Sequence, residues 1–263
     1  MKIKLDPKKS AQENAAMYYE KAKKIKAKIP GLETAIEQTK AQLEKERQRH
    51  AAKLEEKPEK RIERKKEWYE NFHYFFTSRG KLVIGGKEAK QNQLVVKTHM
   101  EPQDLYLHAD VTGASSMVMK QGQQASQDEK QEAATFAASF SRAWQNQRGA
   151  ADVFFVKPGQ VKTAAKAGEY LAKGAFVIRG DREYFSKTEL RLAISYVGDK
   201  LVIAPENAIK KHTSAYLIIT PGDGTKNDAA KLIFKKLKEM FPQAQFDIDW
   251  LLQLLPNGGS YIK

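Results

Sequence analysis

The sequence predicts an α/β (α+β) protein in three parts. A helical coiled-coil arm spans residues 1–67, a mixed α/β domain 68–186, and a small ββαβα subdomain 187–263. Three observations carry this. From Ser10 to Glu67 the chain is a dense mix of Ala, Glu, Lys, Gln and Arg, all good helix formers. After Trp68, β-branched and aromatic runs bounded by glycine replace that pattern. From Leu190 onward, short strands and amphipathic segments alternate.

The elements follow in order. Ser10 with Glu13 has the spacing of a capping box and opens the first helix. Pro30-Gly31 is expected to kink or break it, and Pro58 to do so again. Leu32, Ile36, Leu43 and Leu54 form a sparse apolar seam, which suits a narrow coiled coil or short antiparallel hairpin that projects charge outward. Phe72 to Thr77 and Lys81 to Ile84 flank Ser78-Arg79-Gly80 and read as a β-hairpin. Glu88 to His99 reads as a helix with Leu94, Val95 and Val96 inward, closed by Pro102. Asp104 to Val111 and Ser115 to Met119 read as strands. Gln127 to Gln147 is the clearest helix, with Ala133, Phe136, Ala137, Phe140 and Trp144 recurring at three and four, and Gly149 where a C-terminal cap belongs. Asp152 to Val156 and Ala175 to Ile178 read as buried strands. Then come strands at Leu190 to Tyr196 and Leu201 to Ala204, joined by a Gly198-Asp199 turn, a helix at Pro205 to His212, and a strand at Ala215 to Thr220. A last helix, capped by Asn227, turns Ala230, Ile233, Phe234, Leu237 and Phe241 inward.

Composition narrows the function. The 263 residues contain no cysteine, which excludes disulfide scaffolds, thiolate zinc sites and cysteine nucleophiles. The net charge is +14, and residues 1–67 hold 20 Lys and Arg against 12 Asp and Glu, so most of the excess sits on the arm. That sign and size favour a polyanionic partner. No apolar run reaches the roughly 20 residues of a membrane span, and the N-terminus carries no hydrophobic leader. A cytoplasmic protein without membrane partners is expected.

Along Asp104-Leu-Tyr-Leu-His-Ala-Asp110, alternation places Asp104, Tyr106, His108 and Asp110 on one strand face and Leu105, Leu107 and Ala109 on the other. Such a polar face suits nucleotide contact, acid–base work, a metal or plain structural hydrogen bonding. Gly85-Gly86-Lys87 would let backbone approach a phosphate, or simply end a strand. Adjacent amides at Gln91-Asn92 suit base edges or phosphate oxygens, or cap a helix. Gly222 to Lys226 lacks the spacing of a phosphate loop, and no hydrolase, zinc-protease or kinase signature occurs. No cofactor, metal or catalytic residue is expected.

Three blocks in order, WYENFHYFFTSRGKLVIGGKEAKQNQLVVK, DLYLHADVTGAS and DVFFVKPGQVKTAAKAGEYLAKGAFVIRG, resemble the RNA-binding domain of the NFACT family of ribosome quality-control tailing factors. The resemblance covers roughly Ser10 to Gly180, since the SAQENAAMYYEKAKK opening is similar to the family's coiled-coil entry. Where the family reads a histidine after H-A-D-L, this chain has Val111-Thr112. The resemblance implies a non-enzymatic binder of tRNA and rRNA on a large ribosomal subunit holding stalled peptidyl-tRNA. It further implies a chain without the family's NFACT-N region, an excised half or one whose partner supplies that half, and therefore unable to extend a peptide tail alone. The implied contact residues are Lys65 and Lys66 on the arm, with Arg79, Lys87, Gln91, Asn92, His108, Lys162, Arg179 and Arg182. Two other classes stay open: a nucleic-acid-processing enzyme using Asp104, His108 and Asp110, or a protein-interaction or adhesin module.

Overall fold

The computed structural model describes residues 4–55, 66–162 and 174–263. They form two compact units, residues 1–65 and 66–263.

Among its described residues the first unit holds one helix, α1 (Ala11–Glu55). Its start follows the capping-box expectation, with Ser10 Oγ accepting from Glu13 N and Glu13 Oε2 accepting from Ser10 N. Asn14 is the one buried side chain from Ala11 to Gln48; it bonds back to Asp6, Lys9 and Ser10 and fastens the preceding turn. The expected break at Pro30-Gly31 does not occur, for the helix continues through Pro30. Proline removes a single i→i−4 bond and clashes locally, and the good helix formers on either side carry the helix past it. Pro58 lies outside the described residues. Neither a hairpin nor a coiled-coil partner forms among the described residues: Leu32, Ile36 and Leu43 remain more than half exposed. A seam that sparse has nothing of its own to pack against.

The second unit opens on a 3₁₀ turn, Trp68–Asn71, followed by β1 (His73–Phe76), β2 (Leu82–Gly85), α2 (Ala89–Thr98), β3 (Leu105–Ala109) and β4 (Met117–Met119). Next come α3 (Gln127–Ser139), α4 (Arg142–Gln145), β5 (Ala150–Val156), β6 (Val161–Lys162), β7 (Val177–Ile178) and β8 (Glu183–Glu189). The C-terminal part holds β9 (Leu192–Val197), β10 (Lys200–Ala204), α5 (Glu206–Lys210), β11 (Leu217–Gly222), α6 (Lys226–Met240), α7 (Ile248–Leu254) and β12 (Gly259–Ile262).

Six strands make an antiparallel sheet in the order β1-β2-β4-β3-β5-β8, and four make a second in the order β10-β9-β11-β12; β6 and β7 form a separate ribbon. One continuous core joins the two sheets. Helix α3 lies within it, its alanines 133, 134, 137 and 138 fully buried. Small side chains let sheet and helix backbones approach closely from both sides. The carboxylates of Glu129 and Glu132 on α3 are buried too, but they accept from Thr77 Oγ1 and Ser78 N, which ties the helix to the β1–β2 hairpin.

Several local expectations are revised. The long helix Gln127 to Gln147 is broken at Phe140-Ser141, because Ser141 Oγ caps a new short helix at Ala143 N while donating to Ala138 O. The left-handed residue behind it is Gln147 (φ 55°), not Gly149. Leu94 is 45% exposed, so Val95 and Val96 alone face inward from α2. The cap of α6 is Thr225, in a capping box with Asp228, rather than Asn227. Strand β8, helix α7 and strand β12 carry too little periodic signal to stand out in the sequence.

Candidate nucleic-acid interface

Both faces of the six-stranded sheet are covered, and this decides what the Asp104–Asp110 strand can do. Leu105, Leu107 and Ala109 enter the main core as alternation requires. The opposite face is not the open polar face expected: Tyr106 is only 3% exposed and packs with Val96, Phe154, Val156 and Val161 under α2 and the β6–β7 ribbon. Burial raises its phenol to a pKa of about 12, and its hydroxyl shares a hydrogen bond with Ser116 Oγ at 3.1 Å. Asp104 is fully buried. Its carboxylate accepts from Glu101 N, Gln121 N and Lys120 Nζ at 2.7, 2.8 and 2.6 Å. Every one of those bonds is structural, so Asp104, His108 and Asp110 do not form one open constellation of the kind an enzyme would need.

Among the described residues the covering stops short of the β8 edge. There His108, Phe154 and Tyr184 lie in register across β3, β5 and β8, with ring centroids 5.8 and 6.0 Å apart. The Arg182 guanidinium sits 4.5 Å above the Phe154 ring, and its Nη1 donates to the Tyr184 hydroxyl at 3.4 Å. Tyr184 is 48% exposed, so its ring offers a free face beside a delocalised cation. Lys162 and Arg179 are exposed on the neighbouring ribbon. Gln160 holds that ribbon to the approach of β8: its side-chain amide donates to the carbonyls of Arg179 and Asp181 at 3.1 and 2.7 Å. The His108 imidazole is held below its ordinary range, mainly by burial and further by Arg182, against backbone hydrogen bonds and Asp110 that pull the other way. It therefore enters the row as a neutral ring, and the positive charge there comes from the arginines and Lys162.

The other expected contact residues stand elsewhere. Arg79 is exposed at the tip of the β1–β2 hairpin, on the sheet edge opposite β8; five strand spacings put about 24 Å between those edges. Gln91 Oε1 accepts from Lys87 N and its Nε2 donates to Asn71 O, while Asn92 Oδ1 accepts from Ser116 N. Asn92 thus fastens α2 to the entry of β4, and Gln91 fastens it to the preceding loop and the 3₁₀ turn. Gly85 and Gly86 serve the same junction, because a side chain at either would collide with Met117 or with Asn92. Lys87 lies in a different cluster with His73, Arg142 and Lys226, residues that no local pattern could have joined. Lys66 is exposed and adds to the positive field at Lys87. Lys65 lies outside the described residues.

His73 gives this cluster a pH signature. Its ring packs on Phe140 at 4.1 Å, and burial first, then Lys87 and Lys226, hold its pKa well below the usual value. Above about pH 6.5 the imidazole is neutral both folded and unfolded, so it contributes no pH dependence. Below that, the unfolded chain takes up a proton that the folded chain does not, and stability falls. Urea unfolding at pH 7.5 and 5.5 is expected to show a smaller acid loss in His73→Gln than in the native sequence; equal losses would place the titration elsewhere.

Comparison with known proteins adds family evidence. Residues 71–180 match the family model described as the NFACT protein RNA binding domain, and residues 1–81 match the one described as NFACT N-terminal and middle domains. The second match overturns the expectation that the chain carries nothing of the NFACT-N region: the helical arm is what that model covers. The chain is 39% identical over 208 residues to the archaeal Rqc2 homologue aRqcH of Methanocaldococcus jannaschii, which is 77% of this chain and 30% of that protein. It is 39% identical over 134 residues to the ribosome quality control complex subunit NEMF homologue of Drosophila melanogaster, 50% of this chain and 13% of that one. The chain therefore spans less than a third of either relative. The solved C-terminal structure of the fibronectin/fibrinogen-binding protein from Streptococcus suis is similar at 21% identity and a TM-score of 0.39, over 68% of this chain and 76% of that one. Among the described residues no helix is long and apolar enough to cross a membrane.

Proposed function

Because this chain belongs to the NFACT family, we propose that it is an RNA-binding component of ribosome-associated quality control, acting by binding rather than catalysis. It engages tRNA or rRNA on a large ribosomal subunit that carries stalled peptidyl-tRNA. The observation that carries the reading is the exposed Tyr184 ring beside the Arg182 guanidinium, at the open end of the His108–Phe154–Tyr184 row. An aromatic face next to an arginine, with Lys162 and Arg179 alongside, offers stacking for an unpaired base and charge for its phosphates. The exposed lysines of α1 supply a second, sequence-independent attraction.

The test compares large ribosomal subunits with naked RNA of matched length across a salt titration. Tighter binding to subunits is expected, with a log-log salt slope of several units for each. Base stacking is worth roughly 1–3 kcal/mol, so Tyr184→Ala is expected to weaken RNA binding about 5- to 150-fold. Equal affinity for subunits and naked RNA would reduce the reading to generic polyanion attraction, and a flat salt response would remove it.

A further inference from the structure

On the side of the six-stranded sheet away from Tyr184, a cleft of about 310 Å³ opens between the start of β1, helix α4 and the segment that precedes β12. Its polar lining is His73, Lys87, Ser115, Ser141, Arg142, Gln145 and Asn257, and among the described residues no carboxylate contributes to it. Lys226, first residue of α6, stands beside it with Nζ 3.4 Å from Asn257 Oδ1. Gly113 is in the left-handed region (φ 79°), and the Arg142 Nε lies 2.8 Å from where a side chain at that position would begin, so glycine is what lets the guanidinium rest against this wall. Among the described residues no carboxylate pairs with Lys87, Arg142 or Lys226.

Partly buried cations gathered without counter-charge cost stability, and a fold keeps them where something anionic is to be received. A second cleft, of about 220 Å³, shows the contrast: Asp128, Glu132, Glu189 and Glu206 line it, and there Arg191 is paired with Glu206 at 2.9 Å. Burial, then Lys66, pushes the Lys87 ammonium below the usual lysine range; burial, then Lys87, does the same to Lys226. A ligand of opposite charge placed between them would relieve both.

We propose that this cleft is a seat for a phosphate monoester, received by Lys87, Arg142 and Lys226 with the hydroxyl of Ser115. A dianion neutralises the two lysines together, whereas an internal phosphodiester, with one charge, leaves one of them uncompensated. The volume is at the small-molecule end of binding cavities, the scale of a mononucleotide. The ligand is the phosphate of a free nucleotide or of an RNA end. The second source rests on the RNA-binding reading above, but the seat itself does not.

The full chain is titrated by calorimetry and thermal melting in phosphate-free buffer at constant ionic strength. The probes are inorganic phosphate, adenosine 5′-monophosphate, dimethyl phosphate, and one short RNA bearing either a 5′-phosphate or a 5′-hydroxyl. Phosphate and the nucleotide are expected to bind and raise Tm, and dimethyl phosphate to do neither. Lys226→Met is expected to weaken nucleotide binding at least tenfold while raising the Tm of the ligand-free protein, a gain that a misfolded variant would not show; Lys87→Met is the second probe of the same seat. Tighter binding of the 5′-phosphorylated RNA assigns the seat to RNA ends, and equal binding of the two RNAs alongside nucleotide binding assigns it to a free nucleotide. No response to phosphate or nucleotide overturns the proposal, as does unchanged affinity in both variants. RNA binding that survives such a failure leaves the Tyr184 surface standing, and loss of RNA binding with the nucleotide still bound removes that surface alone.

Discussion

Replacing Asp104 with alanine is expected to lose roughly 3–5 kcal/mol of stability, the cost of removing one partner from a buried ion pair. The Lys120 ammonium would be left half-buried with only the more exposed Glu101 carboxylate and the His99 carbonyl beside it. The amides of Glu101 and Gln121 would also lose their acceptor. These bonds tie the segment entering β3 to the segment leaving β4, so the damage falls on the centre of the six-stranded sheet. Urea unfolding gives the loss directly. RNA affinity per folded molecule should stay near native. A variant as stable as the native chain that no longer binds RNA would return Asp104 to a functional face and undo the structural assignment.

Gly86→Ala is expected to cost about 3 kcal/mol, near the upper end for overpacking a closed site. The added carbon would lie 2.5 Å from Asn92 N and 2.8 Å from Gln91 C, and closer still to Asn92 Oδ1. Those are atoms of helix α2, held in place by Asn92 N to Glu88 O at 2.8 Å and by Ser116 N to Asn92 Oδ1 at 3.1 Å. Relief requires α2 to move off the sheet, which uncovers Val95, Val96 and Tyr106. Hydrogen exchange localised to α2 and β4, together with a lowered urea midpoint, is the expected pattern. If the variant kept native stability and lost only RNA affinity, the glycine pair would be serving ligand approach after all.

These two positions show why function could be misjudged from sequence. Asp104 and the Gly-Gly/Gln-Asn block have the residue types of a binding site, yet Asp104 ties the segments flanking β3 and β4 together, and the block holds α2 in place. For the β3 face the reason lies in the pattern itself. Alternation along β3 correctly separated Leu105 and Leu107 from Tyr106 and His108, but a period of two cannot say whether anything covers the second face. Here α2 and the β6–β7 ribbon cover much of it, and among the described residues Tyr184 on β8 stays exposed. Strand β8 itself is largely exposed and polar, so it has no hydrophobic rhythm by which to be found.

The sequence by itself determined the local matters: the capped α1, the β1–β2 hairpin, the apolar strands β5 and β9 to β11, the amphipathic α6, the basic arm and the family resemblance. Each depends on residues within a few positions of one another, where backbone geometry makes neighbours predictable. Only the tertiary structure decided which cations meet. Arg182 joins Phe154 and Tyr184 because β5 and β8 pair edge to edge. His73, Lys87 and Arg142 share a cleft, with Lys226 beside it, because the four-stranded sheet packs on the same core as the first. Such meetings join residues as many as 153 positions apart in the chain, His73 and Lys226. They are fixed by the packing of whole layers, which leaves no trace in local spacing.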